Sequence, residues 1–408
     1  MPIFDQGYQH WKGVLSGRGW RWLVITKQGL RGQLRGWWIR ILLLLAWLPA
    51  VVLMIALGVW GMFEQRSESV LGVLKPILPP SVTADPRAYR LAVWTIAYST
   101  FFKFEVFFLM LLVLAVGPNL ISRDLRFNAF TLYFSRPLTR LDYFAGKLGA
   151  IGMLVAAVAV VPALAAYLCG VCFSLDLSVV RDTWRLLLAS GLYGLLIVVS
   201  AGTLMLALSS LSRRSLYVGI AWVGLWLISS TVAAVLGGIQ RGTMTYRIMK
   251  EEMAQAHLEW PPHARPGEPG WPPKPPQDQS ARMQVFQRVR ERVDRAMAEA
   301  APTNWRPLCS YTANLERVGE ALLNTDAAWV QFGRAIEAPR AAMRPFFWLF
   351  RRRRPVVAPA AASANVRRFA DQFVPQYPWT WSAAVLAGLL GLSLCTLSTR
   401  VKSLDRLG

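Results

Sequence analysis

The sequence predicts an all-α polytopic membrane bundle of six transmembrane helices, with an amino-terminal interfacial helix and a helix-rich loop between spans five and six. Three observations carry this. The 408 residues are 54% hydrophobic and only 17% charged. The apolar residues lie in long blocks almost free of charge, not in the periodic patterns of soluble cores. Lys and Arg number 45 against 23 Asp and Glu, a net charge of +22, which suits either phosphate polymers or a membrane surface, and the apolar blocks decide for the membrane. The composition excludes dominant disorder and a disulfide scaffold. A soluble nucleic-acid binder does not fit, and no nucleic-acid partner is expected.

Residues 1–40 interleave Trp11, Trp20, Trp22, Trp37 and Trp38 with seven basic residues. Rings and snorkelling cations both suit the membrane–water boundary, so this segment reads as an amphipathic in-plane helix packed on the bundle. A helix crossing about 30 Å of hydrocarbon needs roughly 20 apolar residues. The qualifying runs are Ile41 to Met62, Leu91 to Gly117, Leu148 to Phe173, Leu186 to Leu208, Leu216 to Ile239, and Trp381 to Leu397, the last anchored by Trp379 and Trp381. No cleavable secretion signal fits, because the first apolar run begins only at Ile41.

The second run carries Lys103 and Glu105. At i and i+2 they do not share a helix face, and charges at membrane depth are functional candidates. The span is expected to enter the bilayer near Ala97, with both charges snorkelling outward; deeper placement would put them on a hydrated translocation path. Pro162 in the third span marks a kink, and Ser190, Gly191, Gly194, Ser200, Gly202 and Thr203 in the fourth mark close helix packing.

Lys and Arg number 17 over residues 1–40, 118–147, 209–215 and the tail, against six over 63–90 and 174–185. The positive-inside rule then places both termini in the cytoplasm. That parity puts residues 240–378 outside, with 379–408 forming the last span and a cytoplasmic tail. In this loop Met244, Ile248, Met253 and Leu258 continue the fifth helix. Eight prolines among the 17 residues 260–276 make an extended insert. Phe286, Val289, Val293 and Met297 predict a helix from Arg282 to Ala300, and a short one covers Asn314 to Leu323 with Asn314 as cap. Phe346 to Arg354 sets aromatics beside four consecutive arginines, a pattern that fits anionic lipid head groups.

The stretch 118–147 has more design than a linker needs. Pro137 suits the first turn of a helix. Thr139 and Asp142 are spaced as a variant of the capping box and offer a second start. In chain order, Asp124, Ala129 with Thr131, Ser135-Arg136-Pro137-Leu138-Thr139-Arg140 and Gly146-Lys147 resemble the membrane-spanning subunits of type-2 ATP-binding cassette (ABC) transporters. That family usually has Glu at the position of Asp124 and often Gly at that of Ala129. The likeness extends to the basic aromatic amino terminus, the six-span layout, the segment between spans five and six, and Asn314-Leu-Glu-Arg. It implies that residues 121–147 form a coupling helix seated in a groove of a cytoplasmic ABC ATPase, with Asp124, Arg136, Pro137, Leu138, Thr139, Arg140 and Lys147 as coupling residues. It also implies a second permease subunit, identical or related, and a bacterial inner-membrane exporter in which the ATPase is a separate chain.

The chain's own chemistry is sparse. Gly146-Lys147 is followed by Leu148, and Leu141 stands where a phosphate loop needs its first glycine. With only His10, His257 and His263, no histidine metal centre is expected, and no cofactor is called for. Cys169 and Cys172 have redox spacing but read as packing within an apolar span. Two rivals are an ion-coupled carrier using Lys103 and Glu105 at the midplane and a structural or assembly protein acting through its large loop.

Overall fold

The computed structural model describes residues 20–75, 78–129, 138–174, 176–255, 279–337 and 376–405. Among these the protein is all-helical, and six helices are long and apolar enough to cross a membrane: Trp37–Glu64, Arg87–Arg126, Arg140–Ser174, Ser178–Leu211, Ser215–Gln255 and Trp379–Arg400. It is a multi-pass membrane protein. Trp11, Arg136, Pro137, Leu258, the insert 260–276 and the segment Phe346 to Arg354 lie outside the described residues.

Helix α1 (Arg21–Leu34) precedes a first span built of α2 (Trp37–Ala46) and α3 (Leu48–Glu64). The break falls at Trp47, just before Pro49, whose missing N–H suits only a helix start. Short helices α4 (Glu68–Leu74) and α5 (Pro80–Ala84) lead to the second span, α6 (Arg90–Val116) and α7 (Pro118–Arg126). The third span is α8 (Arg140–Val155), a π-helical turn at Ala156–Val160, and α9 (Val161–Ser174). The π turn stands directly before Pro162, which cannot donate into an α ladder. The fourth span, α10 (Ser178–Ile197) and α11 (Thr203–Leu211), carries a second π turn at Val198–Gly202. Each π turn packs on the neighbouring span: a Cβ on Gly194 would meet Val160 of the first turn at 2.7 Å, and one on Gly152 would meet Val198 of the second at 3.3 Å.

The fifth span, α12 (Ser215–Gln255), runs 41 residues without a break, roughly 60 Å at 1.5 Å per residue and so twice the hydrocarbon thickness. Its far end is covered by α13 (Gln279–Ala300), where Val285, Val289 and Val293 pack on Ile248, Met249 and Met253. The expected Phe286 is exposed instead, one position off the buried stripe. Arg292 bonds Glu251 and Glu252, each at 2.9 Å, to close the seam.

Next come α14 (Tyr311–Leu323), α15 (Thr325–Glu337) and the last span, α16 (Trp379–Asp405). The cap of α14 is Ser310, whose Oγ accepts from the Ala313 N–H at 3.2 Å. Asn314, expected as the cap, lies in the first turn, and its amide donates to the Leu308 and Ser310 carbonyls, each at 2.8 Å. This segment is not a separate module. Tyr311 donates to Ser200 in the second π turn at 3.3 Å, and Gly319 sits so close to Tyr193 that a Cβ would stand 2.3 Å from its ring.

The ends of the bundle are pinned differently. At the end formed by residues 64–90 and 174–182, Arg90 holds Glu64 at 2.7 Å and Asp182 at 3.0 Å, with Asp176 at 3.5 Å. The Arg90 and Glu64 side chains are only 2% exposed, so the pair joins spans one, two and four inside the packing. The opposite end carries residues 118–129 and 138–147.

Candidate coupling site

Gly117 separates α6 from α7, and a Cβ there would fall 2.1 Å from Met205. Pro118 then starts α7. The new helix is fixed to span four through Ser209, whose hydroxyl donates to the Pro118 carbonyl at 3.0 Å and accepts the N–H groups of Ile121 and Ser122 at 3.1 and 3.0 Å. This brings Asp124 to the mouth of the loop between spans two and three.

On the far side of that loop Thr139 caps α8. Its Oγ accepts the Asp142 N–H at 3.2 Å, and the Asp142 carboxylate accepts the Thr139 N–H at 3.2 Å, a full capping box. Of the two helix starts legible in the sequence, the one at Thr139 is used, and the one at Pro137 lies outside the described residues. One turn on, Tyr143 donates its hydroxyl to Asp124 at 2.6 Å. A further turn places the Lys147 ammonium 2.7 Å from the same carboxylate oxygen and 5.3 Å from the Tyr143 ring centre. Tyr143 and Lys147, at i and i+4, share one helix face. Lys147 and Asp124 are 10% and 15% exposed, so the pair is shielded from solvent and little screened. Leu138 is half-buried against the core, and Arg140 is half-buried at the helix start.

Helix α1 braces the clamp. Thr26 donates to the Gly146 carbonyl at 3.0 Å. Gly146 has room for no Cβ, since one would meet Ile25 Cβ at 2.6 Å and the Trp22 carbonyl at 2.9 Å; Gly149 is equally closed by Thr26 at 2.6 Å. The expected in-plane helix thus packs on the third span through two glycines. A groove of about 510 Å³ runs between α1 and α7, lined by Gln28, Gly32, Asn119, Arg123 and Phe127 among others, and Phe127 is exposed. The arrangement ties the adjoining ends of spans two and three, with α1, into one packed unit.

Lys103 and Glu105 are separated. Lys103 points to α14 and pairs with Glu320 at 3.1 Å. Glu320 reaches Arg317 at 3.5 Å, and Arg317 holds Asp326 at 2.9 Å. Glu105 turns the other way, is fully enclosed, and neither carboxylate oxygen has a hydrogen-bond partner. It does not snorkel outward as expected. On its face, Tyr98 donates to the Ala163 carbonyl at 2.8 Å. The antiparallel register of the two spans therefore sets Glu105 level with the first π turn.

Sequence reasoning missed Tyr143, Thr26 and the α14 partner of Lys103. Tyr143 was findable from its i, i+4 spacing to Lys147; the other two follow only from tertiary packing. No protein-family model, curated protein or solved structure matches the chain.

Proposed function

We propose that the chain is the membrane-spanning permease subunit of an ABC exporter, set in a bacterial inner membrane with both termini in the cytoplasm. It works with a separate cytoplasmic ATPase and a second permease subunit, identical or related. The observation that carries this reading is the Asp124–Tyr143–Lys147 clamp. A protein that receives force at a loop needs that loop tied to both of its spans, and the clamp closes the 125–142 connection in that way. ATP-driven closure of the partner pushes on residues 130–140, and Arg136 and Arg140 supply the cationic face for docking. Spans two and three then move together with α1, opening and closing a path for cargo without covalent change to it.

The test is charge reversal. Arg136→Glu with Arg140→Glu is expected to abolish cargo-stimulated ATP hydrolysis while membrane insertion is unchanged; unaltered stimulation removes these residues from the mechanism. One observation favours the ion-coupled carrier as a second reading, namely the enclosed, unpartnered Glu105, since such a carboxyl at membrane depth is what a proton-linked path uses. Glu105→Gln separates the two: a carrier loses transport driven by a proton gradient, whereas an ATP-driven permease keeps transport driven by ATP.

A further inference from the structure

The first turns of α12 leave a long apolar groove against the second span, of about 710 Å³, walled by Leu114 and Pro118 on one side and Ile220, Val223 and Leu227 on the other. Gly219 thins its floor: a Cβ there would touch only Leu114 and Pro118, at 3.6 and 3.9 Å. The groove does not end in solvent. Asn119 and Ser215 line both it and a second cavity of about 270 Å³, whose other walls are Arg123, Arg126, Arg213 and Phe127.

These three arginines differ from those that pin the fold. Arg90, Arg292 and Arg317 each hold carboxylates. Arg123, Arg126 and Arg213 have no ion pair among the described residues, and Arg126 rests over the Phe127 ring, 5.6 Å from its centre. Ser215 is the first residue of the 41-residue α12, so the positive end of a long helix dipole and its free N–H groups face the same space. The chemistry is split, with concentrated positive charge at the membrane edge and an uncharged trough running from it into the hydrocarbon. From Ser215 to Ile228 the trough is roughly 20 Å long at 1.5 Å per residue, against about 15 Å for one leaflet of hydrocarbon.

We infer that this composite cleft binds one anionic phospholipid, its phosphate among Arg123, Arg126 and Arg213 and an acyl chain along α12 between Gly219 and Ile228. Basic pockets between membrane helices select anionic head groups over zwitterionic ones, because phosphate accepts several guanidinium N–H bonds and brings a compensating charge. A second copy of this chain fits the arginine end poorly. A twofold interface buries the same patch on both copies, so these arginines would lose water on each, and the residues lining the two cavities include no carboxylate to offset that. The inference is independent of the transport reading, since the cleft would hold the same lipid in a carrier or an assembly protein.

The experiment is native mass spectrometry of the full chain released from detergent after titration with dioleoyl phosphatidylglycerol or dioleoyl phosphatidylcholine. The wild type is expected to retain one phosphatidylglycerol at a concentration about tenfold or more below that needed for phosphatidylcholine, the scale set by three arginines at a membrane surface. Arg123→Gln/Arg126→Gln/Arg213→Gln should erase that preference. Gly219→Leu, which fills the trough and leaves the charge, should weaken retention of phosphatidylglycerol, and it carries the test with Arg213→Gln alone if the triple variant does not fold. Soluble glycerol phosphate should not displace the lipid. Equal retention of both lipids by the wild type, a preference that survives the arginine changes, displacement by glycerol phosphate, or quantitative symmetric cross-linking of Ile220→Cys between copies in membranes would each overturn it.

Discussion

Replacing Gly146 with alanine tests whether α1 is locked to the third span. The added Cβ would stand 2.6 Å from Ile25 Cβ and 2.9 Å from the Trp22 carbonyl oxygen. Neither atom is the end of a flexible side chain, so relief requires α1 to retreat by about 1 Å to reach ordinary contact near 3.5 Å. Overpacking of this kind costs about 1–3 kcal/mol, and loss of the Thr26 to Gly146 hydrogen bond about 1 kcal/mol more. Together, at about 1.4 kcal/mol per decade, these lower the docked-to-undocked ratio roughly 30- to 700-fold. The reporter is a disulfide between Gly29→Cys and Ala150→Cys in a background without the four native cysteines. An ideal Cβ at Gly29 lies 3.4 Å from Ala150 Cβ, close to the span of about 3.8 Å that a disulfide prefers. The parent should oxidise readily, and the Gly146→Ala form at least severalfold more slowly, scored as linked fragments after cleavage at a protease site inserted between the cysteines. Gly32→Ala, with nothing within 4 Å of the new carbon, should match the parent. Equal oxidation rates with and without Gly146→Ala would refute the packing argument.

Asp124→Asn leaves the Lys147 ammonium mostly enclosed without its anion, a loss near the low end of the roughly 3–5 kcal/mol seen when one partner of a buried pair is removed; scanning fluorimetry in detergent should show a clear drop in melting temperature, largely recovered by Asp124→Leu with Lys147→Met. Arg90→Gln strands Glu64 among spans one, two and four, so it should destabilise by at least as much in the same assay, and a neutral result would mean that water fills the site. Glu316 in α14 is held above the usual carboxylate range chiefly by burial, with Glu320 pushing the same way and Lys103 opposing. A raised folded-state value means the group favours the fold fully only below the unfolded value of about 4.3, and that contribution is lost as pH rises through the folded value. Glu316→Gln should therefore melt higher than the wild type near neutral pH, with the gap closing in acid; a gap that is constant with pH would contradict this.

The spans were legible because hydrocarbon forbids unpaired backbone groups and charges, so six charge-poor runs had few alternatives. Their ends were not. The first span starts at Trp37 and not Ile41, because Trp37 and Trp38 continue it, whereas the run of α12 on to Gln255 was legible from Met244, Ile248 and Met253, and α13 covers that end. Helical periodicity found α13 but could not separate Val285 from its neighbour Phe286, since adjacent positions differ by about 100° and a few residues leave the stripe's centre ill-defined. Ser310 outcompeted Asn314 as a cap because its extended backbone presents the hydroxyl to the free N–H groups. The capping box at Thr139 was visible, being local. The Asp124–Lys147 pair was half visible, as opposite charges flanking one short connection. Lys103 with Glu320, and the packing of each π turn on the neighbouring span, depend on contacts between distant parts of the chain that no local pattern records.

The most direct measurement is photo-cross-linking from Leu138, carrying a benzophenone side chain, in native membranes, with the captured chain identified by mass spectrometry and Asp85 at the opposite end of the bundle as control. The account predicts that Leu138, and not Asp85, captures a protein with a Gly-x-x-x-x-Gly-Lys-Ser/Thr phosphate loop, in a yield that changes when ATP is added. Capture of no such ATPase from Leu138, or labelling of that position from the outer face of intact cells, would contradict it.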